Sequence, residues 1–395
     1  MDILTFTTLY PNDSQPNHGL FVEHRIRRLT QSGQANVRVL APVAWFPFTH
    51  PRFGNYSGLA RIPRRDQRHG VIIEHPRYPL IPKIGMNLTP LTMAVAMIGP
   101  LRRMIREGFN FQLIDAHFLY PDGVAAALLG QWFHRPVVMT GRGTDVTLLP
   151  QFHGPRRMIT WASRHSAAMI TVCHALKEAL LPLAIPEHHI RVLPNGVDLE
   201  LFRPLDRDRA REELGVTGIT LLSVGHLVQR KGHDIPIRAL TRLPDVRLVI
   251  AGGGGTFEDD NELALKQLAH DLGVQDRVHF AGGVLQTRLP IYYSAADILV
   301  LASAREGRAN VLLEAMACGL PVITSPVWGN PEAVTAPEAG VIMRERSVDG
   351  LVEAFHRLMS AMPDRAMTRR YAEKFSWDQT TRDQIELFQT ILQKD

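Results

Sequence analysis

"ADILVLASAREGRANVLLEAMACGLPV", residues 296–322, is the stretch on which the fold turns. Its opening, "ADILVLAS" (296–303), is a continuous apolar run of strand length, the pattern of a strand buried on both faces of a parallel sheet. Asn310 stands where an N-cap is wanted, Val311 to Cys318 continue as an apolar helix, and Gly319 ends it. Strand, loop and helix in that order place the loop and the helix N-terminus at the carboxyl edge of a sheet, where α/β folds bind ligands. The N–H groups of Val311, Leu312 and Leu313 are expected to face an anion there. Glu306 sits on the loop and Glu314 one turn into the helix. Two carboxylates beside a phosphate site point to a phosphorylated ligand that also carries hydroxyl groups.

The same unit repeats along the whole chain. Strand-like runs ("DILTFTTLY", "VRVLAP", "VIIEHPRY", "FQLIDAHF", "PVVMTG", "AAMITVC", "IRVLPNG") alternate with helices, among them Leu20 to Thr30 and those starting at Val124 and Ala175. After Leu205 the alternation restarts with "ITLLSVG", "VRLVIAGG", "RVHFAG", "DILVLAS" and "PVITSP". Alternation of this kind predicts doubly wound parallel sheets. Its restart after "PNGVDLELFRPLDR" predicts two domains joined near residue 196, with a ligand site in the cleft between them.

The chain of 395 residues is long enough for two such domains. Its only cysteines, Cys173 and Cys318, lie in apolar contexts, which argues for a reducing compartment and against a disulfide framework or thiolate metal site. The start, "MDILTFTTLYP", lacks a basic n-region and reads as a strand, so no signal peptide is expected. Residues 84–101, "IGMNLTPLTMAVAMIGPL", carry no charge, but their two prolines and polar residues favour a loop plus an apolar helix over a membrane span. Residues 1–195 hold 21 Lys and Arg against 11 Asp and Glu, a net of +10, whereas the remainder holds 23 against 28, a net of −5. That asymmetry points to an acidic partner for the first half.

Further motifs follow predicted strands. "HGLFVEHRIRRL" (18–29) sets His18 and Gly19 at a helix entrance, where glycine permits close approach to a negative group. "DAHFLYPDG" brings His117 to a strand end, and "TGRGTDV" carries Arg142, Gly143 and Asp145 to the same edge. "SVGHLVQRKGHD" (223–234) places His226, Arg230 and Lys231 on a loop, and adjacent cations at that edge suit a diphosphate. "AGGGG" (251–255), with Gly253 and Gly254, reads as a tight turn open to a ligand; it lacks the spacing of a dinucleotide fingerprint. No HExxH, Cys/His ligand spacing or P-loop occurs, so neither a metal site nor that nucleotide cradle is expected.

With these motifs assembled, the chain resembles the family-four group of retaining GT-B glycosyltransferases, closest to the bacterial polysaccharide and teichuronic-acid-type members. The resemblance runs from the Gly19 loop through "DAHFLYPDG", "GRGTD", "LPNGVD", "GHLVQRKGHD", "AGGGG", "EGRANVLLEAMACGLPV" and "GNPEAV" to "FSW" (375–377), and its most specific element is the E-x7-E pair Glu306 and Glu314. It implies two Rossmann-like doubly wound parallel-sheet domains facing a central cleft. These are an acceptor domain over 1–195, a nucleotide-sugar domain over 196–375 and a last helix over 376–395 crossing back to the first. By the same resemblance Glu314 holds the ribose and Glu306 the donor sugar. Lys231 holds the diphosphate with the help of the 307–312 backbone, including Asn310, Val311 and Leu312. His117 and Asp145 line the sugar and acceptor side with Arg142 and His18, and Gly19 clears space for the phosphate. No cofactor or essential metal is implied; the partners are a nucleotide sugar and a glycan or lipid-linked acceptor, with no nucleic acid.

Three positions depart from the family pattern. His226 stands where arginine is usual, and Arg230 is expected to supply the missing charge. Arg142 replaces a histidine, and Ala309 replaces a glycine. The activity expected is hexosyl transfer in cell-surface polysaccharide biosynthesis, in the cytoplasm and peripherally on the inner face of the membrane; the alternatives are a 2-epimerase-type nucleotide-sugar isomerase on the same plan and a non-catalytic sugar-nucleotide binder.

Overall fold

A computed structural model describes residues 1–46, 48, 50, 55–80, 85–253 and 261–393. The chain divides into two compact units: an N-terminal one of residues 1–195 with 377–395, and a C-terminal one of residues 196–376.

The N-terminal unit is built on an eight-stranded sheet. From edge to edge its strands are Ile190–Val192, Ala168–Thr171, Val137–Gly141, Leu113–His117, Asp2–Phe6, Asn36–Leu40, Val71–Glu74 and Arg65–Arg68. Every neighbouring pair is parallel except the last, which is antiparallel. The chain starts at Asp2–Phe6, builds outward to one side, then returns to build the other side from Leu113–His117. The order therefore reverses between those two strands, the place in α/β sheets whose carboxyl ends are suited to a ligand site. The helix Trp377–Leu392 belongs to this unit because Ile385, Phe388 and Ile391 bury their side chains among Val22, Ile26 and Leu29 of the Leu20–Gln31 helix.

The C-terminal unit has six parallel strands in the order Val278–Gly282, Val246–Ala251, Ile219–Val224, Ile298–Leu301, Val322–Thr324 and Gly340–Ile342. The central strands Val246–Ala251, Ile219–Val224 and Ile298–Leu301 are rich in Val, Ile and Leu because both faces are covered: one core gathers Leu312, Leu313 and Met316, the other Ile237, Leu265 and Leu351. Here the order reverses between Ile219–Val224 and Ile298–Leu301. The stretches that follow those two strands carry Lys231 and Glu306.

Two local expectations are corrected. The helix of the opening stretch runs Asn310–Ala317 with Ala309 in the extended cap position, so Asn310 is its first helical residue, not its N-cap. At the other end Gly319, at φ 76°, and the Leu320 N–H to Ala315 carbonyl bond of 2.9 Å close the helix as expected of a left-handed terminator. The uncharged segment near residue 90 is one helix, Gly85–Arg106, with Pro90 and Pro100 inside it, where a loop plus helix was expected. No described helix is long and apolar enough to cross a membrane.

Candidate functional site

In the C-terminal unit the reversal of strand order brings Lys231 and Glu306 together. Lys231 ends the short turn Gln229–Lys231 after one strand, Glu306 lies on the loop after its neighbour, and Lys231 Nζ donates to Glu306 Oε1 at 2.6 Å. Both side chains are largely buried, keeping 14% and 12% of their surface exposed to solvent. The two loops are tied beneath the pair, the Ala304 N–H donating to the Arg230 carbonyl at 2.7 Å.

Glu314 sits a turn into the helix, where Tyr293 Oη donates to Oε2 at 3.0 Å and Gln286 Nε2 to Oε1 at 3.2 Å. Burial pushes its carboxyl up to about 7, against the opposing pull of those two donors. It therefore stands at the middle of its titration near neutral pH, oriented by both partners. Of the three N–H groups expected to face an anion, that of Leu312 is engaged by the Ala309 carbonyl at 3.2 Å.

Arg230, the other cation of that turn, lines a cavity with Arg305 and Arg346; successive residues of so tight a turn point about a third of a revolution apart. The exposed His226 lends its carbonyl to the buried His233, whose Nε2 lies 3.1 Å away; burial lowers His233 to about 4, and its Nδ1 lies 2.8 Å from Ser223 Oγ. Gly253 follows the Val246–Ala251 strand with its carbonyl accepting from Leu227 at 2.9 Å and room for a side chain. Gly252 is the glycine that the turn requires, since a Cβ there would lie 1.8 Å from the Gly225 carbonyl oxygen. Gly254 lies outside the described residues.

The N-terminal unit holds a second cluster at its own reversal of strand order. Asp115 and His117, two apart on one strand, point the same way, and His117 Nε2 lies 3.2 Å from Asp115 Oδ2. Arg142 Nη2 donates to His117 Nδ1 at 2.6 Å and Nη1 to Asn195 Oδ1 at 3.0 Å, while its guanidinium lies over the Phe21 ring. Burial lowers His117 to about 4, partly opposed by Asp115, so the imidazole is neutral and accepts from the arginine. Burial alone would raise Asp115, but His117, Arg25 and Arg142 hold its carboxyl below the usual range. Arg25 donates to the Leu193 carbonyl at 2.6 Å, and Gln384 of the last helix donates to Asp115 Oδ2 at 3.1 Å. The strand leaves this cluster through Phe118 at φ 85°, a strained backbone conformation for a residue with a side chain.

Asp145 is fully buried, its carboxylate accepting from the backbone N–H groups of Gly143 at 2.7 Å, Arg142 at 3.0 Å and Leu119 at 2.8 Å. It shapes the loop that carries Arg142. His117 likewise has no exposed surface. Gly19, at φ 72°, is required by the chain itself, since a Cβ would lie 2.3 Å from the Leu9 carbonyl carbon; His18 Nε2 lies 3.1 Å from the Thr8 carbonyl of the same loop. Sequence reasoning missed Arg25, Asp115, Gln286, Tyr293 and Gln384. Only Asp115 left a signal, through its period-two spacing to His117. It also missed Asp122, which burial pushes up to about 8 against the Thr8 hydroxyl at 2.9 Å. Among the described residues no three His, Cys, Asp or Glu side chains stand together as metal ligands.

Residues 21–201 match the family described as Glycosyltransferase Family 4, and residues 206–375 the family described as Glycosyl transferases group 1. A D-inositol 3-phosphate glycosyltransferase of Mycobacterium leprae is 35% identical over 233 residues, 57% of this chain and 52% of the relative. The chain thus spans about half the length of the curated relatives it matches. Among solved structures, a sucrose-phosphate synthase from Thermosynechococcus elongatus superposes with a TM-score of 0.80 at 20% identity, over 100% of this chain and 99% of that one. Anabaena HepE in complex with UDP superposes with a TM-score of 0.75 at 20% identity, over 99% and 100%. At such identities the likeness is one of fold.

Proposed function

Since the chain belongs to the GT-B glycosyltransferases that these two family descriptions cover in succession, we propose that it moves a hexose, with retention, from a nucleotide-diphosphate sugar to a glycan or lipid-linked glycan. The observation that carries this reading is the Lys231–Glu306 pair at the reversal of strand order, with the oriented carboxyl of Glu314 close by in sequence and on the same loop–helix unit.

In this reading Lys231 exchanges its contact with Glu306 for the donor's diphosphate and offsets the charge that grows there as the sugar departs. Glu306, released, accepts from sugar hydroxyls, and Glu314 accepts from the ribose. The acceptor hydroxyl attacks the anomeric carbon on the face the diphosphate leaves; the carbon–oxygen bond to the diphosphate breaks, and the hydroxyl proton passes to a diphosphate oxygen. No carboxylate nucleophile enters, in contrast to the glycosidase pair. The N-terminal unit takes the acceptor, with His117 and Asp145 acting through Arg142, one orienting its guanidinium and the other its loop. The helix N-terminus and Lys231 take the part a metal plays elsewhere, so no metal cofactor is proposed.

A panel of nucleotide sugars, each incubated with and without glycan and lipid-linked acceptors, tests the reading. Acceptor-dependent release of nucleoside diphosphate with a lengthened glycan is expected. A new nucleotide sugar formed without any acceptor would assign an isomerase instead, and binding with neither product would reject catalysis.

A further inference from the structure

We propose that the N-terminal unit docks on an anionic lipid bilayer through one face of three helices, Gly85–Arg106, Val124–Phe133 and His153–Arg164. Leu91 and Val95 enter the acyl boundary, and exposed arginines meet the lipid phosphates. The first helix holds most of the uncharged run 84–101, which is not apolar enough to cross a membrane yet is apolar on two faces. Met93, Met97, Leu101 and Met104 recur every three or four residues and are fully buried. On the other face Leu91 and Val95 are 47% and 69% exposed, and the same stripe continues into the exposed Arg102 and Arg106. Burial accounts for the first face alone. An exposed apolar stripe running into arginines is the pattern of a helix that lies in a membrane interface.

The neighbouring helices extend this face. Leu91, Val124, Leu128, Arg157, Met158 and Trp161, drawn from all three, line one cavity of about 480 Å³. The Arg102 guanidinium lies 5.8 Å from the ring centre of the exposed Trp132. None of the three helices contains an aspartate or glutamate, and neither do residues 81–84 just before them. Arg102, Arg106, Arg156, Arg157 and Arg164 are all exposed and form no ion pair among the described residues. Cations without carboxylate partners, set among exposed apolar and indole side chains, fit a layer of lipid phosphates over hydrocarbon. A nucleic acid would satisfy the arginines but leave Leu91 and Val95 against its phosphates, so lipid is the partner that accounts for both. The proposal stands apart from the transferase reading, because docking needs neither donor nor acceptor.

Flotation of the full chain with vesicles of phosphatidylglycerol and phosphatidylcholine, against phosphatidylcholine alone, tests it without any nucleotide sugar. Arg102→Gln combined with Arg157→Gln removes charge, and Leu91→Gln combined with Val95→Gln removes the apolar stripe; all four positions are exposed, and thermal melts check that each variant is folded. Recovery with the anionic vesicles alone is expected. The arginine pair should weaken partitioning about twentyfold and flatten its salt dependence, and the apolar pair should weaken it about tenfold. Trp45→Ser, in the separate aromatic segment, should weaken it less than either. Full flotation of both double variants would overturn the proposal, as would equal flotation on phosphatidylcholine alone. Retention on duplex DNA in place of vesicles would assign a nucleic acid and likewise overturn it.

Discussion

Donor binding should be linked to a proton on Glu314. A ribose hydroxyl donates only to the ionised carboxylate with full strength, and burial holds that carboxyl at about 7 in the free protein. If the ligand selects the ionised form, the apparent dissociation constant scales as one plus ten to the power of pKa minus pH. Between pH 8 and pH 6 that is a loss of about tenfold, or ~1.4 kcal/mol, and binding at pH 7 should release about half a proton. The sign for stability is the reverse of the usual acidic case. The folded value lies above the ordinary glutamate value of 4.5, so the contribution is fully present below pH 4.5 and is lost as pH rises through about 7. The loss amounts to roughly 3 kcal/mol. Glu314→Gln keeps an acceptor for Tyr293 Oη, lets Gln286 turn its amide, and cannot ionise. It should therefore be more stable than wild type at pH 8, show little difference at pH 4.5, and bind the donor ~10- to 100-fold more weakly for want of a charge-assisted bond.

Calorimetric titration with the tightest-binding nucleotide sugar, whose diphosphate diester does not itself titrate in this range, at pH 6, 7 and 8 and in buffers of different ionisation heat, measures both effects. A dissociation constant flat from pH 6 to 8, or the same slope in Glu314→Gln, would refute the assignment of this carboxyl to the ribose.

Four other outcomes are expected. Glu306→Ala should abolish most turnover while leaving nucleoside diphosphate affinity intact or raised, because it releases Lys231; Lys231→Ala should weaken the diphosphate far more than the nucleoside, and titration calorimetry giving the opposite ranking would exchange the roles. Gly19→Ala forces a Cβ onto the Leu9 backbone at positive φ and should cost more than ~2 kcal/mol, read as a lowered thermal midpoint of the N-terminal unit. Turnover should survive EDTA, and loss on chelation with recovery in magnesium or manganese would reveal a metal in the reaction. Finally, the basic N-terminal unit, with Trp45 and Phe48 more than half exposed, should float with anionic vesicles at low salt and release as salt rises; full activity on a soluble acceptor without vesicle binding would reject membrane docking. Trp45 and Phe48 belong to the aromatic segment "AWFPFTHPRFGNY" (44–56), of which residues 47, 49 and 51–54 lie outside the described residues.

The parallel strands at the centre of the two α/β sheets were legible because they are buried on both faces, unlike the edge strands Arg65–Arg68 and Val278–Gly282. That demand writes runs such as "ILVL" and "LLSV" into the chain, and each following helix declares itself by period and by a terminating glycine such as Gly319. The approximate place of Glu306 and Glu314 followed in turn, since strand–loop–helix order alone puts a loop at the carboxyl edge. Side-chain direction and long-range partnership were not legible. Asn310 reads as a cap, yet whether a residue caps or begins a helix depends on one pair of backbone angles that packing sets. Arg230 and Lys231 look interchangeable as adjacent cations, but the tight turn sets them about a third of a revolution apart and Lys231 reaches Glu306, 75 positions away. Asp145 looks like a free acid until the loop folds three N–H groups onto it. Asp115, Arg25 and Gln384 meet only because the last helix packs against the first, 269 residues separating Gln384 from its partner. Local patterning is enforced by burial at every residue along a strand, whereas the direction a polar side chain takes is settled by which distant group arrives to satisfy it.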